Sequence, residues 1–380
     1  MITILHAASF SPPYGGNFVA SLTALADACQ LRGWRLAMAL PASARERPWC
    51  RQLLDEGRQV EFVPENASVA RFARELAQLA TRTEASILHT HFTLFDVPAW
   101  IAGQVLRLRG RRVSVVWHRH SDFADPLTPV RRLKEFVKYR LMGQSVEIVA
   151  VTEHLRQMVI RSGMAEARVR AVLNGIDVRR VVTATRRPAE VRADLGLAPH
   201  DRLLLLFGWH PLVKGVDLAM DVVEELVKDG HPVVLAIVGW DALREFVQTR
   251  TGGRAPAWLR LIPPVENVAD LFQAAEVFLS ASRAEGFSYA VAEAMAGGVP
   301  VVASDLPAMA WAREIPGAQF FPAGDARRLA QSLRNVLGWS ADQRRRATAA
   351  CREYVCRELD VQVWVKRIMG VYEEMVRSKK

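Results

Sequence analysis

Glu285 and Glu293 stand in an E-x7-E spacing on either side of Ser288, and such a pair could grip one polar ligand at two points. The residues between them describe the start of a helix. Ser288 can cap it, and Ala290, Ala292, Ala294 and Ala296 are strong helix formers. Gly297-Gly298 ends it, with apolar runs before (Val277-Phe278-Leu279) and after (Val299-Pro300-Val301-Val302) that read as buried strands. A strand, a tight turn at Glu285-Gly286 and then a helix aim unpaired N–H groups and the positive end of the helix dipole above the strand ends. That arrangement suits a phosphate. Glu285 would meet the near part of the ligand and Glu293 its far part.

Three other stretches carry chemistry. Ser11-Pro12-Pro13-Tyr14-Gly15-Gly16-Asn17 follows the first strand and precedes an apolar helix (Val19, Leu22, Leu25, Ala26), so Gly15 and Gly16 let backbone approach a ligand closely. Ile87-Leu88-His89-Thr90-His91 and Val115-Val116-Trp117-His118-Arg119-His120 end apolar runs in histidines. An imidazole at the carboxyl edge of a sheet can hydrogen-bond a ligand hydroxyl or steady a nearby charge.

The elements that must position these residues alternate, strand with helix, throughout the chain, which predicts parallel α/β architecture. Strands are expected at Ile2–Leu5, Arg35–Leu40, Val60–Val63, Ser86–Leu88, Val113–Trp117, Ile148–Val151 and Val169–Val172. The second half repeats the rhythm at Leu203–Phe207, Val233–Val238, Leu259–Ile262, Val277–Leu279, Val299–Ala303 and Gln319–Phe321. Two doubly wound sheets in series follow, in domains spanning 1–180 and 200–360. The polar, Arg-rich stretch from Val178 to Pro199 reads as the linker, and 361–380 as a final helix by its Val363, Ile368, Val371, Met375 spacing.

A chain of 380 residues suits two cores. Half its residues are hydrophobic and 24% are charged, the globular class. No apolar run approaches the roughly 18 residues of a membrane span, and the start reads as a strand rather than a leader, so a cytoplasmic location is expected. Cys29, Cys50, Cys351 and Cys356 form no C-x-x-C pair and read as reduced thiols. The net charge of +10 fits phosphate-rich ligands or an anionic surface; without a nucleic-acid-binding signature, no nucleic-acid partner is expected. The segment Arg131–Met142 alternates basic residues with Leu133, Phe136, Val137, Tyr139 and Leu141. As a helix it could lie on the anionic cytoplasmic leaflet, or be a core helix with a solvated basic face.

E-x7-E followed by A-M-A-x-G-x-P-V-V-A-S resembles the donor signature of retaining glycosyltransferases of the GT-B fold, most closely family 4 (glycosyl transferases group 1). The resemblance implies two Rossmann-like domains facing across a cleft, with the last helix returning to the first domain. It also implies a nucleotide-diphosphate sugar (UDP- or GDP-sugar) as donor, with no cofactor and no metal. The stretch 11–17 resembles the family's P-x-x-G-G loop, and Val149–Glu153 with Asn174-Gly175-Ile176-Asp177 its stretch at the domain border. Leu205–Gly215 is similar to the family's segment carrying an Arg and a Lys for the donor diphosphate. Lys214-Gly215 matches, but Trp209 stands at the Arg position. A bidentate clamp on the leaving group is thereby missing, unless His210 or an arginine from elsewhere replaces it.

Carried over, the donor-binding set is Gly15, Gly16, Gly208, Lys214, Val265, Glu285, Gly286, Phe287, Ser288, Tyr289, Ala290, Val291 and Glu293. Val265 would contact the base through its backbone, Glu293 the ribose and Glu285 the transferred sugar. Glu285, Lys214 and His120 would be catalytic, with His118 the fallback for His120. The acceptor is a glycan, a glycolipid or a small molecule, in polysaccharide biosynthesis or another pathway. The alternatives are a sugar-nucleotide hydrolase or epimerase of the same fold, and a non-catalytic sugar-nucleotide-binding partner.

Overall fold

The computed structural model describes residues 1–121 and 129–377. It divides into two compact units, Met1–Gly175 with Val361–Lys380, and Ile176–Asp360. The first holds seven strands: β1 (Thr3–Ala8), β2 (Arg35–Pro41), β3 (Gln59–Val63), β4 (Ile87–His91), β5 (Ser114–Arg119), β6 (Val146–Ala150) and β7 (Val169–Ala171). The second holds six: β8 (Arg202–Phe207), β9 (Val233–Val238), β10 (Leu259–Ile262), β11 (Val277–Ser280), β12 (Val301–Asp305) and β13 (Ala318–Pro322).

Strand order is β3-β2-β1-β4-β5-β6-β7 in one sheet and β10-β9-β8-β11-β12-β13 in the other, with every pairing parallel. The central strands are buried on both faces, as parallel sheets covered by crossover helices require; β9 reads Val-Val-Leu-Ala-Ile-Val and is wholly buried. In each sheet the order reverses once, between β1 and β4 and between β8 and β11. Ligands of open α/β sheets bind beyond the carboxyl ends of the strands at such a switch point. The Gly15-Gly16 loop follows β1 and the second histidine of each His-x-His pair follows or ends β5 or β4; the Lys214 and Glu285 loops follow β8 and β11.

Three strands run further than their apolar cores predict. β1 continues through His6 to Ala8, β4 through His89 to His91 and β5 through His118 to Arg119. Hydropathy truncated them because the added residues are polar, yet His6, His89, His91 and His118 are all buried. The stretch 178–199 is likewise no free linker. It forms helices Val178–Val182 and Pro188–Asp194 within the second unit. The Asp270 carboxylate accepts hydrogen bonds from the backbone N–H of Thr185 (2.7 Å) and Arg186 (3.1 Å) and from Thr185 Oγ1 (3.0 Å), which ties the polar stretch down. Composition alone cannot show such a partner 85 residues away.

Within the first unit, helix Val361–Arg377 packs on helix Gly16–Leu31, with Ile368, Tyr372 and Met369 in the same core as Leu22, Leu25 and Cys29. Arg32 pairs with Glu373 at its edge. All four cysteines are free thiols. Among the described residues, no helix is long and apolar enough to cross a membrane.

Candidate functional site

In the second unit, β8 ends at Phe207 and hands the chain to Gly208, Trp209 and a turn closing on Lys214-Gly215 before helix Val216–Lys228. Gly215 has φ +65°, and a Cβ there would sit 2.0 Å from the Ala281 carbonyl oxygen. Only glycine lets this turn press on the end of β11. That approach sets Lys214 beside the loop after β11: Lys214 Nζ donates to Glu285 Oε1 at 2.7 Å, and Ser282 Oγ donates to the same oxygen at 2.7 Å. The Glu285 side chain is 9% exposed and that of Lys214 22%, so the pair is screened but reachable.

Ser288 caps the next helix, Tyr289–Ala296, its Oγ accepting from Val291 N. A cavity of about 200 Å³ lies here, walled by Trp209, Lys214, Ser280, Ser282, Glu285, Phe287, Ser288, Tyr289 and Ala290, with Leu206, Phe207, Phe278 and Leu279 beneath. A carboxylate, an ammonium and the N-terminus of a helix therefore converge on one apolar-floored pocket, the combination that binds a polar, anion-bearing ligand.

Of the residues expected at a donor site, Lys214, Glu285, Phe287, Ser288, Tyr289 and Ala290 share this wall. Gly286 is their chain neighbour. Val291 turns into the core, Gly208 packs its backbone toward Ile237 and Val216, and Val265 lies between β10 and helix Val268–Ala274; none of the three lines the cavity. Glu293 is buried a turn further along the helix, where Arg180 Nη1 donates to it at 3.1 Å. Burial and the nearby Glu293 carboxylate push the Tyr289 hydroxyl above the ordinary tyrosine range.

Among the described residues lining the cavity, Lys214 is the only cation. Trp209 instead stacks obliquely with Trp240, ring centres 5.6 Å apart. His210 is exposed and does not line the cavity. The nearby Arg283 is spent on Asp217, with bonds of 2.8 and 2.7 Å that hold the Asp217 carboxyl below its usual range. Ser282 and Arg180 escaped sequence reasoning; a serine three residues before Glu285 was the available signal for the first.

Gly15, Gly16 and His120 belong to the first unit. Gly16 opens helix Gly16–Leu31 with φ +55° and open space beside it. His120, partly exposed, ends a run of five imidazoles on one sheet face. Alternation along each strand puts His89 with His91 and His118 with His120, and the register sets His6 opposite His89 and His91 opposite His118. His120 Nε2 meets His91 Nδ1 at 2.9 Å, His91 Nε2 meets His6 Nδ1 at 2.8 Å, and the Tyr372 hydroxyl joins His6 Nε2 (2.9 Å) to His89 Nδ1 (2.5 Å).

Burial, reinforced by Arg119, pushes His120 down to about 3, and burial alone does the same to His6. Burial and the neighbouring imidazoles hold His89, His91 and His118 well below the ordinary range. All five are neutral near pH 7. His6 and Tyr372 were not singled out from the sequence, since nothing local to either indicates its partners.

Two parallel-sheet, Rossmann-like domains with a polar pocket at a switch point define the GT-B architecture of glycosyltransferases. The whole chain superposes on the Anabaena protein Alr3699/HepE solved in complex with UDP-glucose, with TM-score 0.81, 18% identity and coverage of 98% of this chain and 100% of that one. Family models also match: Glycosyltransferase Family 4 over residues 19–180 and Glycosyl transferases group 1 over residues 201–338. The chain belongs to the group 1, family 4 glycosyltransferases. It is 30% identical over 248 residues to a D-inositol 3-phosphate glycosyltransferase of Nocardia farcinica, covering 59% of this chain and 54% of that one. It is 22% identical over 231 residues to an N-acetyl-alpha-D-glucosaminyl L-malate synthase of Bacillus anthracis, covering 60% and 59%. The chain thus spans a little over half the length of the curated relatives it matches.

Proposed function

We propose that the protein is a retaining glycosyltransferase that takes a sugar from a nucleotide-diphosphate donor. The observation that carries this reading is the Lys214–Glu285 pair in the cavity at the N-terminus of helix Tyr289–Ala296. Family membership and a structural neighbour solved with UDP-glucose support it.

In the donor-bound state the diphosphate would take the Lys214 ammonium and the helix N-terminal N–H groups. Glu285, released from Lys214 and still held by Ser282, would accept a hydrogen bond from a hydroxyl of the sugar. As the diphosphate leaves, charge builds on its oxygens and the anomeric carbon gains oxocarbenium character. Lys214 and the helix end stabilise the former, and positioning of the sugar by Glu285 supplies the rest. In Glu285→Ala and Lys214→Ala, release of nucleoside diphosphate from a panel of UDP- and GDP-sugars should fall about 100-fold or more, the scale of a lost charge-stabilising donor. Wild-type turnover in both would refute the site.

Trp209 favours a second reading, donor binding without turnover, because the described residues lining the cavity carry one cation where a leaving diphosphate is best met by two. Calorimetric donor binding with no product release would establish it.

The chain's surface supports peripheral binding to an anionic leaflet on the cytoplasmic side. Helix Pro129–Met142 leaves Val130, Leu133, Phe136, Val137 and Leu141 exposed. Lys138 is not part of that surface: its ammonium turns inward, 3.8 Å from buried Asp96 and over the Trp117 ring. Leu133→Glu with Leu141→Glu should abolish flotation with anionic liposomes; unchanged flotation, or none in the wild type, would dispose of the idea.

A further inference from the structure

We infer that the first unit carries a binding site for one divalent transition-metal ion of the zinc type, held by His91, His118 and His120. One ring nitrogen from each lies within 4.8 Å of the others. The inference does not rest on the transferase reading, which uses no metal on the diphosphate.

The strongest observation is His118. Its ring is fully buried, and neither nitrogen has a hydrogen-bond partner among the described residues. Whichever nitrogen carries the proton, a buried N–H and a buried lone pair are both left unsatisfied, a costly state that native structures avoid unless a ligand or function demands it. The ring stacks on His120, with centres 4.4 Å apart, and lies 5.0 Å from His91. It is therefore beside the two nitrogens that already face each other at 2.9 Å.

Geometry separates this triad from its neighbour, His6 with His89 and His91, whose nitrogens also lie close together. There both nitrogens of His6 and one of His89 are already hydrogen-bonded, to His91 and to Tyr372. Those bonds are better placed as outer support. If His91 ligates through Nδ1, its Nε2–H donates to His6 Nδ1, His6 Nε2–H donates to the Tyr372 oxygen, and the Tyr372 O–H donates to His89 Nδ1. Every proton in that chain has one consistent position, and the chain fixes the His91 tautomer as a buried metal ligand requires.

The distances demand little. A tetrahedral ion at about 2.0–2.1 Å from each nitrogen holds its ligand atoms about 3.3 Å apart. His91 and His120 would move apart by a few tenths of an ångström, and His118 would turn about its Cβ–Cγ bond. Three neutral imidazoles with no carboxylate among them select zinc, cobalt, nickel or copper over magnesium or calcium. His120, being partly exposed, gives the ion a path in, and a water would complete the tetrahedron.

The test uses the full chain without a histidine tag, stripped with chelator and titrated with Co2+ or Zn2+ alone. One Co2+ per chain is expected, with the intense visible bands of a four-coordinate ion that Zn2+ displaces, and zinc X-ray absorption should count three imidazoles. His118→Ala should weaken binding about 100-fold or more. Tyr372→Phe, which breaks the outer chain, should weaken it about tenfold, at the low end of outer-shell effects. No stoichiometric uptake, fewer than three imidazoles, or unchanged affinity in His118→Ala would overturn the inference. The last outcome would place the ion elsewhere, on the neighbouring His6, His89 and His91 or on His154, His200, His210 or His231. Should His118→Ala not fold, the imidazole count on the native chain decides alone.

Discussion

The two units solve the same problem, burying polar side chains at a switch point, in opposite ways. The second matches charge with charge: Lys214 with Glu285, Arg180 with Glu293, Arg283 with Asp217. The first removes charge, crowding five imidazoles and a tyrosine together so that burial keeps each neutral. Paired charges keep their value in solvent-touched sites and can be lent to an ionic ligand. Neutral imidazoles offer lone pairs and lose their footing once protons are plentiful.

Acid should split the two regions most sharply. In chelator-treated protein, folded His6 titrates near 3 against the ordinary histidine value of 6.5. Between those values the unfolded chain binds more protons, so stability falls as pH falls below about 6.5. At pH 5 the loss is about 2 kcal/mol for this group alone, with His89, His91 and His118 acting in the same direction. Asp217 has the same sense in a more acidic window. Its carboxyl is depressed, so its contribution persists above the ordinary aspartate value of 3.8 and fades only below it. Hydrogen exchange at pH 5 should show protection falling in β1, β4 and β5 while β8, β11 and β12 hold; parallel loss in both units would break the contrast.

Gly215→Ala tests the second region's architecture. The added methyl would meet the Ala281 carbonyl at a positive φ, so the turn must shift and carry Lys214 away from Glu285. A destabilisation of about 3 kcal/mol is expected in denaturant unfolding. Tyr372→Phe tests the first. It strands His6 Nε2 and His89 Nδ1 and should cost roughly 1–3 kcal/mol. Equal stability to wild type would mean that the hydroxyl bridges nothing.

The contrast also explains what the sequence made legible. The second site is local: Glu285, Ser288 and the alanine-rich helix lie within a dozen residues, and capping, helix propensity and glycine turns speak directly through residue types. All thirteen strands were likewise readable because parallel, doubly covered strands are unbroken apolar runs. The first site is built by pairing across strands and by a helix from the far end of the chain. His6, His89 and Tyr372 meet over separations of 283 and 366 residues, and no spacing rule links them. Polar residues buried inside strands defeat hydropathy for the same reason, hence the shortened readings of β1, β4 and β5. The stretch 178–199 failed similarly, since Asp270, its anchor, is not in it.

Trp209→Arg has the smallest expected effect and sharpens the comparison from the charged side. If the second unit works by meeting ligand charge with protein charge, a guanidinium at this position adds a second cation to a wall whose described residues include Lys214 as the one cation. One extra charge-assisted hydrogen bond is worth roughly 1.5–3 kcal/mol, partly offset by removing the Trp209–Trp240 ring stacking, worth about 1 kcal/mol. The net should appear as about tenfold faster nucleoside-diphosphate release from the preferred donor. The gain should shrink as salt rises, because a partly exposed cation is screened. An increase in donor affinity with no change in turnover would instead assign the added charge to ground-state binding, and with it the protein to donor capture rather than transfer.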